Sequence, residues 1–207
     1  LAKDQTDLPF LPGKFDQKGQ SGVLKGSPAV LKSEAVSTTV VTPPQEKTYL
    51  PTEDEKSRLS LAAKTMLEEL NKHEAFQKLK ENVKIQMTSE GLRIILNESE
   101  NSPAFFEPGS AKLLQQSAII LITIARELGT LNNHIVIEGH TDTSPAGDPQ
   151  YTNWELSADR ANSARQLMEV SGLYQGQVRE VRGFADRFPM LTTNPADPRN
   201  RRISLVV

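Results

Sequence analysis

"GHTDTSPAGDPQYTNWELSADRANSARQLMEVSGL", Gly139 to Leu173, holds the strand-to-helix step from which the rest of the fold can be laid out. Its first residues close "HIVIEGHTD", a strand with Ile135 and Ile137 on one face. Pro145, Gly147 and Pro149 then interrupt any regular structure, and the remainder reads as a helix ending at Gly172. On a wheel with Leu156 at zero, Leu167 falls at about 20°, Ala164 at about 80°, Met168 at about 120° and Ala161 at about 140°. Glu155, Asp159, Arg165 and Glu169 occupy about 180° to 300°, the solvated side. Arg160 falls at about 40°, the one charge inside the apolar arc. A buried guanidinium needs an anionic partner or an opening to solvent. Asp142, at the C-terminal end of the preceding strand, is an acid within reach, and such strand ends line the crevice where layered α/β structures bind ligands. Two arrangements satisfy the pattern: a private Asp142–Arg160 ion pair, or two charges facing one pocket and each holding one pole of a dipolar ligand.

Working toward the N-terminus, "SPAFFEPGSAKLLQQSAIILITIARELGT" predicts a helix capped by Ser110 and stopped by Gly129. Its stripe is Leu113, Leu114, Ser117, Ile120, Leu121, Ile124 and Leu128. In "VKIQMTSEGLRIILNE", Val83, Ile85 and Met87 alternate before the turn and Leu92, Ile94 and Leu96 after it, a β-hairpin. "PTEDEKSRLSLAAKTMLEEL" opens on a capping box, Thr52 with Glu55. It continues as an amphipathic helix through Leu59, Ala62, Ala63, Met66, Leu67 and Leu70, which Phe76 and Leu79 are expected to extend. That face packs on its own domain more readily than on a second copy. Residues 1–51 carry prolines and glycines at spacings that break every periodic window and predict a flexible linker, with a short strand at Ser37–Val41. Toward the C-terminus, "VREVRGFA" and "RRISLVV" are strands, the latter alternating Ile203, Leu205 and Val207. The expected organisation is a linker at 1–51, an amphipathic linker helix at 52–82 and a domain at 83–207. Its class is α+β: a two-layer sandwich with helices on one face of a mixed four- to five-stranded sheet.

The 207 residues balance 24 Lys+Arg against 26 Asp+Glu, which gives no electrostatic footprint for nucleic acid. With no cysteine there is neither a disulfide framework nor a thiolate metal site. No stretch is long and apolar enough to span a membrane, and the start at Leu1 reads as that of a fragment lacking an upstream targeting or membrane segment. His140 and Asp142 lie two apart on a strand, as metal ligands can, but no H-E-x-x-H, EF-hand, G-x-S-x-G or P-loop pattern accompanies them. Neither metal, nor cofactor, nor catalysis is expected. Tyr151 and Trp154 flank Asn153 and could serve as stacking platforms, but Trp154, at about 160° on the wheel, sits at the edge of the stripe, which fits a packing role at least as well.

Three motifs, in order along the chain, carry a resemblance. They are "FEPGSAKL" (Phe106–Leu113), Thr141-Asp142 followed by Gly147 and "NWELSADRA" (Asn153–Ala161), and "NRRISLVV" (Asn200–Val207). In these residues the sequence resembles the OmpA-like peptidoglycan-binding domain over about 83–207. The resemblance implies a non-catalytic, periplasmic domain that grips peptidoglycan. Asp142 and Arg160 would hold the two ends of the diaminopimelate side chain, Asn153 and Thr141 would stand beside them, and Phe106 and Leu156 would line the pocket. Within the family, "YTNWELSADRA" with "NRRISLVV" most resembles the wall-binding stator subunits of the flagellar motor. That likeness implies a homodimer joined to a MotA-like channel subunit through an inner-membrane segment. An anchor belonging to an outer-membrane protein, a lipoprotein or a secretion system is the alternative. The segment between Asp142 and Asn153 is longer than in common outer-membrane members and is expected to reshape the site.

Overall fold

A computed structural model describes residues 51–100, 104–147 and 149–207. Residues 1–50 of the expected linker, with the strand at Ser37–Val41, lie outside the described residues. The chain order is α1 (Glu53–Asn71), α2 (Glu74–Leu79), β1 (Val83–Thr88), β2 (Gly91–Asn97), α3 (Gln115–Leu128), β3 (Ile135–His140), α4 (Asn153–Ser171), β4 (Val178–Gly183) and β5 (Arg202–Val206). Five strands form one sheet in the order β1-β2-β5-β3-β4. Only the β3–β4 pair is parallel, as the intervening α4 crossover requires. β5 runs antiparallel to both β2 and β3 and joins the two halves of the sheet. This is the mixed α+β sandwich that the alternation of patterns predicts.

Strand alternation sets the core. Leu92, Ile94 and Leu96 of β2, Ile135 and Ile137 of β3, and Ile203 and Leu205 of β5 are buried. They meet Ile120, Leu121, Ile124 and Leu128 of α3 and Ala161, Ala164 and Met168 of α4 in a single cluster. Leu59, Met66 and Leu70 of α1 belong to the same cluster, so the leading helix is part of this core. Thr52 caps α1 by accepting the Glu55 N–H, while the Glu55 carboxylate accepts the Asn133 amide at 2.7 Å.

Two expected helix boundaries move. α1 does not run on through Phe76 and Leu79: it ends at Asn71, extended His73 turns the chain, and α2 begins at Glu74. A straight helix would place Phe76 and Leu79 about 100° to 160° away from the Leu59–Met66–Leu70 stripe. The break lets both reach the core, where they are fully buried. Ser110 does not cap α3, which starts at Gln115 after Leu114. The residues ahead of it are engaged otherwise: Phe106 bridges to Leu113, the Glu107 N–H bonds the Lys112 carbonyl, and Gly109 takes φ +63° at the tip. The FEPGSAKL motif is therefore a tight hairpin loop leading into the helix.

The height of α4 above the sheet is set by Gly139 of β3. A Cβ there would lie 2.0 Å from the Ser157 carbonyl oxygen, so only glycine permits this approach. Thr152 and Glu155 cap the helix reciprocally: the Thr152 hydroxyl accepts the Trp154 N–H and the Glu155 carboxylate accepts the Thr152 N–H at 2.8 Å.

Candidate functional site

At the C-terminal end of β3, the first turns of α4 and the FEPGSAKL loop enclose a cleft of about 310 Å³. Its floor is charged, with Glu98, Asp142, Arg160 and Arg201. Its walls are apolar and include Phe106, Pro108, Pro145, Ala146 and Leu156. All six residues singled out in the sequence, Thr141, Asp142, Asn153, Phe106, Leu156 and Arg160, line it.

Arg160 is buried, at 4% exposure. Its Nε donates to the Ser110 carbonyl at 2.9 Å, and its Cζ lies 5.0 Å from the centre of the Phe106 ring. Among the described residues no carboxylate comes within 4.0 Å of it, so the private Asp142–Arg160 pair is not formed. Burial pulls its pKa below the ordinary arginine value, and the field of Glu98 opposes the shift. A guanidinium held by one carbonyl and one ring face retains donors for an anion.

Asp142 is not an unengaged acid. Its Oδ2 accepts Nη1 of Arg201 at 2.5 Å and its Oδ1 accepts the Ser144 N–H at 2.9 Å. Arg201 also donates Nε to Glu98 at 2.6 Å, forming a Glu98–Arg201–Asp142 relay. Burial opposes the Arg201 charge, but the bonds to the two carboxylates outweigh it and raise its pKa. The sequence reading missed Arg201 and Glu98, although strand alternation points to both. Arg201 precedes Ile203 by two residues and Glu98 follows Leu96 by two, so each continues the core-facing side of its strand beyond the core. The neighbouring motif residue Asn200 is fully buried and ties down the 191–200 loop. Its amide donates to Asn194 and Pro195 carbonyls at 3.0 Å, and its Oδ1 accepts the Leu191 N–H at 2.8 Å.

Asn153 holds the strand-end loop by donating Nδ2 to the carbonyls of Asp142 (3.2 Å) and Ser144 (3.0 Å). Its Oδ1 and the Thr141 Oγ1 are buried without a hydrogen-bond partner among the described residues, and both residues line the cleft. Buried orphan oxygens are uncommon, and these two belong to residues that line a concavity, where a ligand donor could complete them.

His140 points to the sheet's other face, away from Asp142's cleft. It stacks on Phe184 at 5.0 Å, and its Nε2 is 4.0 Å from Glu138. Among the described residues no group of three His, Cys, Asp or Glu is placed to hold a metal ion. Tyr151 donates to Asp159 at 2.8 Å, and burial with that bond pushes its pKa up to about 12. Of the two roles open to Trp154, packing is not the one it takes: it is 48% exposed, because the buried arc ends at Ala161, about 20° short of it.

Residues 105–202, which span the β3–α4 step and most of the cleft, match the OmpA family. More particularly, the sequence is 44% identical over 131 residues to Motility protein B of Escherichia coli (strain K12). The match covers 62% of this chain and 42% of that protein, so the chain spans less than half of that relative's length. Among solved structures, the cell wall anchor of the T6SS from Pseudomonas aeruginosa aligns with a TM-score of 0.57 and 21% identity, covering 74% of this chain and 98% of that one. The periplasmic domain of Helicobacter pylori MotB aligns with a TM-score of 0.52 and 20% identity, covering 60% and 78%. At such identities these two share the fold. No helix among the described residues is long and apolar enough to cross a membrane.

Proposed function

We propose that this domain is a non-catalytic anchor that binds peptidoglycan through the β3–α4 cleft and serves a flagellar stator. The observation that carries the reading is Arg160: a buried cation with no carboxylate partner among the described residues, lining a cleft that also holds two orphan oxygens. The ligand this favours bears an ammonium and a carboxylate on one carbon, as the side-chain end of diaminopimelate does. Arg160 takes the carboxylate. The ammonium lies against Asp142, Thr141 Oγ1 and Asn153 Oδ1, sharing Asp142 with Arg201 or displacing its Nη1. Phe106 and Leu156 shield these contacts from water, which strengthens them. The 44% identity to Motility protein B favours the motor over the other wall anchors. The whole protein then acts as a homodimer in the inner membrane, its periplasmic part on the wall beside a MotA-like channel subunit. Paired domains on a polymeric wall gain avidity without new contacts.

Sedimentation with insoluble peptidoglycan tests the site. Arg160→Leu loses a charged contact of about 1.5–3 kcal/mol and weakens binding by about tenfold or more, with thermal melting retained. Undiminished sedimentation of that variant refutes the reading.

A further inference from the structure

Trp154, the chain's single tryptophan, is not used by the cleft. It follows Asn153 on the first turn of α4, so the two side chains leave the helix about 100° apart, one into the cleft and one beside it. Its indole is half exposed, and the guanidinium of Arg187 lies 5.9 Å from its centre. Next to Arg187, Phe188 is 60% exposed and meets Phe184 edge-on at 5.2 Å. The loop carrying Arg187 and Phe188 is not loose. The Ala185 N–H donates to the Ser157 hydroxyl at 3.0 Å, and its carbonyl accepts the Thr141 N–H at 2.9 Å. Ala185 itself is held at φ +49°, a left-handed conformation that costs a non-glycine residue energy and persists only where surroundings impose it. One residue thus locks the exposed aromatic loop to the strand end and to the helix that form the cleft.

We propose that Trp154, with Arg187 over its ring, is a stacking platform for a pyranose of the β-1,4-linked N-acetylhexosamine strand from which the bound peptide stem hangs. The inference rests on the peptide-binding reading of the neighbouring cleft. Sugar rings offer an apolar C–H face edged by hydroxyl and amide groups. An exposed indole with Arg187 over it provides the matching face and a polar rim. Continuity supports this occupant. A few stem residues span about 10 Å when extended, close to the diameter of a helix with its side chains, so a stem seated in the cleft leaves its sugar beside the adjoining face of α4.

The single tryptophan makes the test direct. The whole chain is titrated with a disaccharide–stem muropeptide and with the same stem peptide lacking sugar, following indole emission and calorimetric affinity. The muropeptide alone shifts the emission, and Trp154→Ala lowers affinity for it about five- to tenfold while leaving the stem peptide unchanged. Trp154→Phe recovers part of the loss. Equal muropeptide affinity in Trp154→Ala and parent, or an equal loss for both ligands, overturns the platform. Arg160→Leu is the separate arm: stem binding that survives it overturns the cleft reading, while a sugar-specific Trp154 effect persists only if the platform is real.

Discussion

Replacing Arg201 by glutamine tests whether the relay holds the cleft together. In the parent protein, Arg201 makes one charge-assisted bond to Glu98 at 2.6 Å and one to Asp142 at 2.5 Å. Both carboxylates are nearly fully buried, whereas the Arg201 side chain keeps 31% of its exposure. Breaking a fully buried pair costs about 3–5 kcal/mol, chiefly by leaving an uncompensated charge. Partial solvent screening at Arg201 reduces that to about 2–4 kcal/mol here. Urea unfolding, with an unchanged slope, should report that loss at pH 7. Most of the cost comes from carboxylates left without a cation, so Glu98→Gln in the Arg201→Gln background should restore about 1–2 kcal/mol, a non-additivity visible in a double-mutant cycle. A loss below about 1 kcal/mol, or strict additivity, would refute the assignment of the relay as a structural clamp.

Gly139→Ala should destabilise by about 3 kcal/mol or more, because the new methyl meets the Ser157 backbone carbonyl and α4 must lift; a melt matching the parent argues against that contact. Burial, reinforced by the field of Arg202 and opposed by Glu138, lowers the His140 pKa, while Arg93 adds to the lowering. The neutral ring is the folded form, so stability is complete above the unfolded value of about 6.5 and is lost as pH falls below it, by up to about 1.4 kcal/mol per pH unit. Denaturation curves of His140→Gln between pH 7 and 5 should lack that slope. Asn200→Ala removes the tie across the 191–200 loop and leaves buried backbone groups unmet, costing about 2–4 kcal/mol. Hydrogen exchange at the Leu191 amide, accelerated in the variant, is the check.

Periodicity made the framework legible. Local pattern marked each strand among the described residues, and the position of Arg160 inside an apolar arc pointed to the strand end where the cleft lies. What periodicity missed follows from its reach, since it describes an element and not what happens at its end. Ser110 looks like a cap, yet its neighbours are taken by a hairpin bridge and its carbonyl serves Arg160. The leading helix seemed continuous, and only the direction of Phe76 and Leu79 relative to the stripe betrays the turn at His73. Asp142 seemed to await a ligand because its true partner comes from 59 residues away, across the sheet. The same rule of two, carried one step past Ile203 and Leu96, would have placed Arg201 and Glu98 beside it.

Among the described residues, β5 is the strand whose backbone ladders join the β1–β2 hairpin to the β3–β4 pair. Until Arg202–Val206 slots between them, the halves have no shared ladder, and the strand that β2 awaits lies more than a hundred residues downstream. Such a keystone makes folding depend on a distant, late-arriving segment, which slows closure and ties the two halves into one melting event. Loosening the seam anywhere along β5 should therefore cost the whole molecule its structure, and no surviving half should appear.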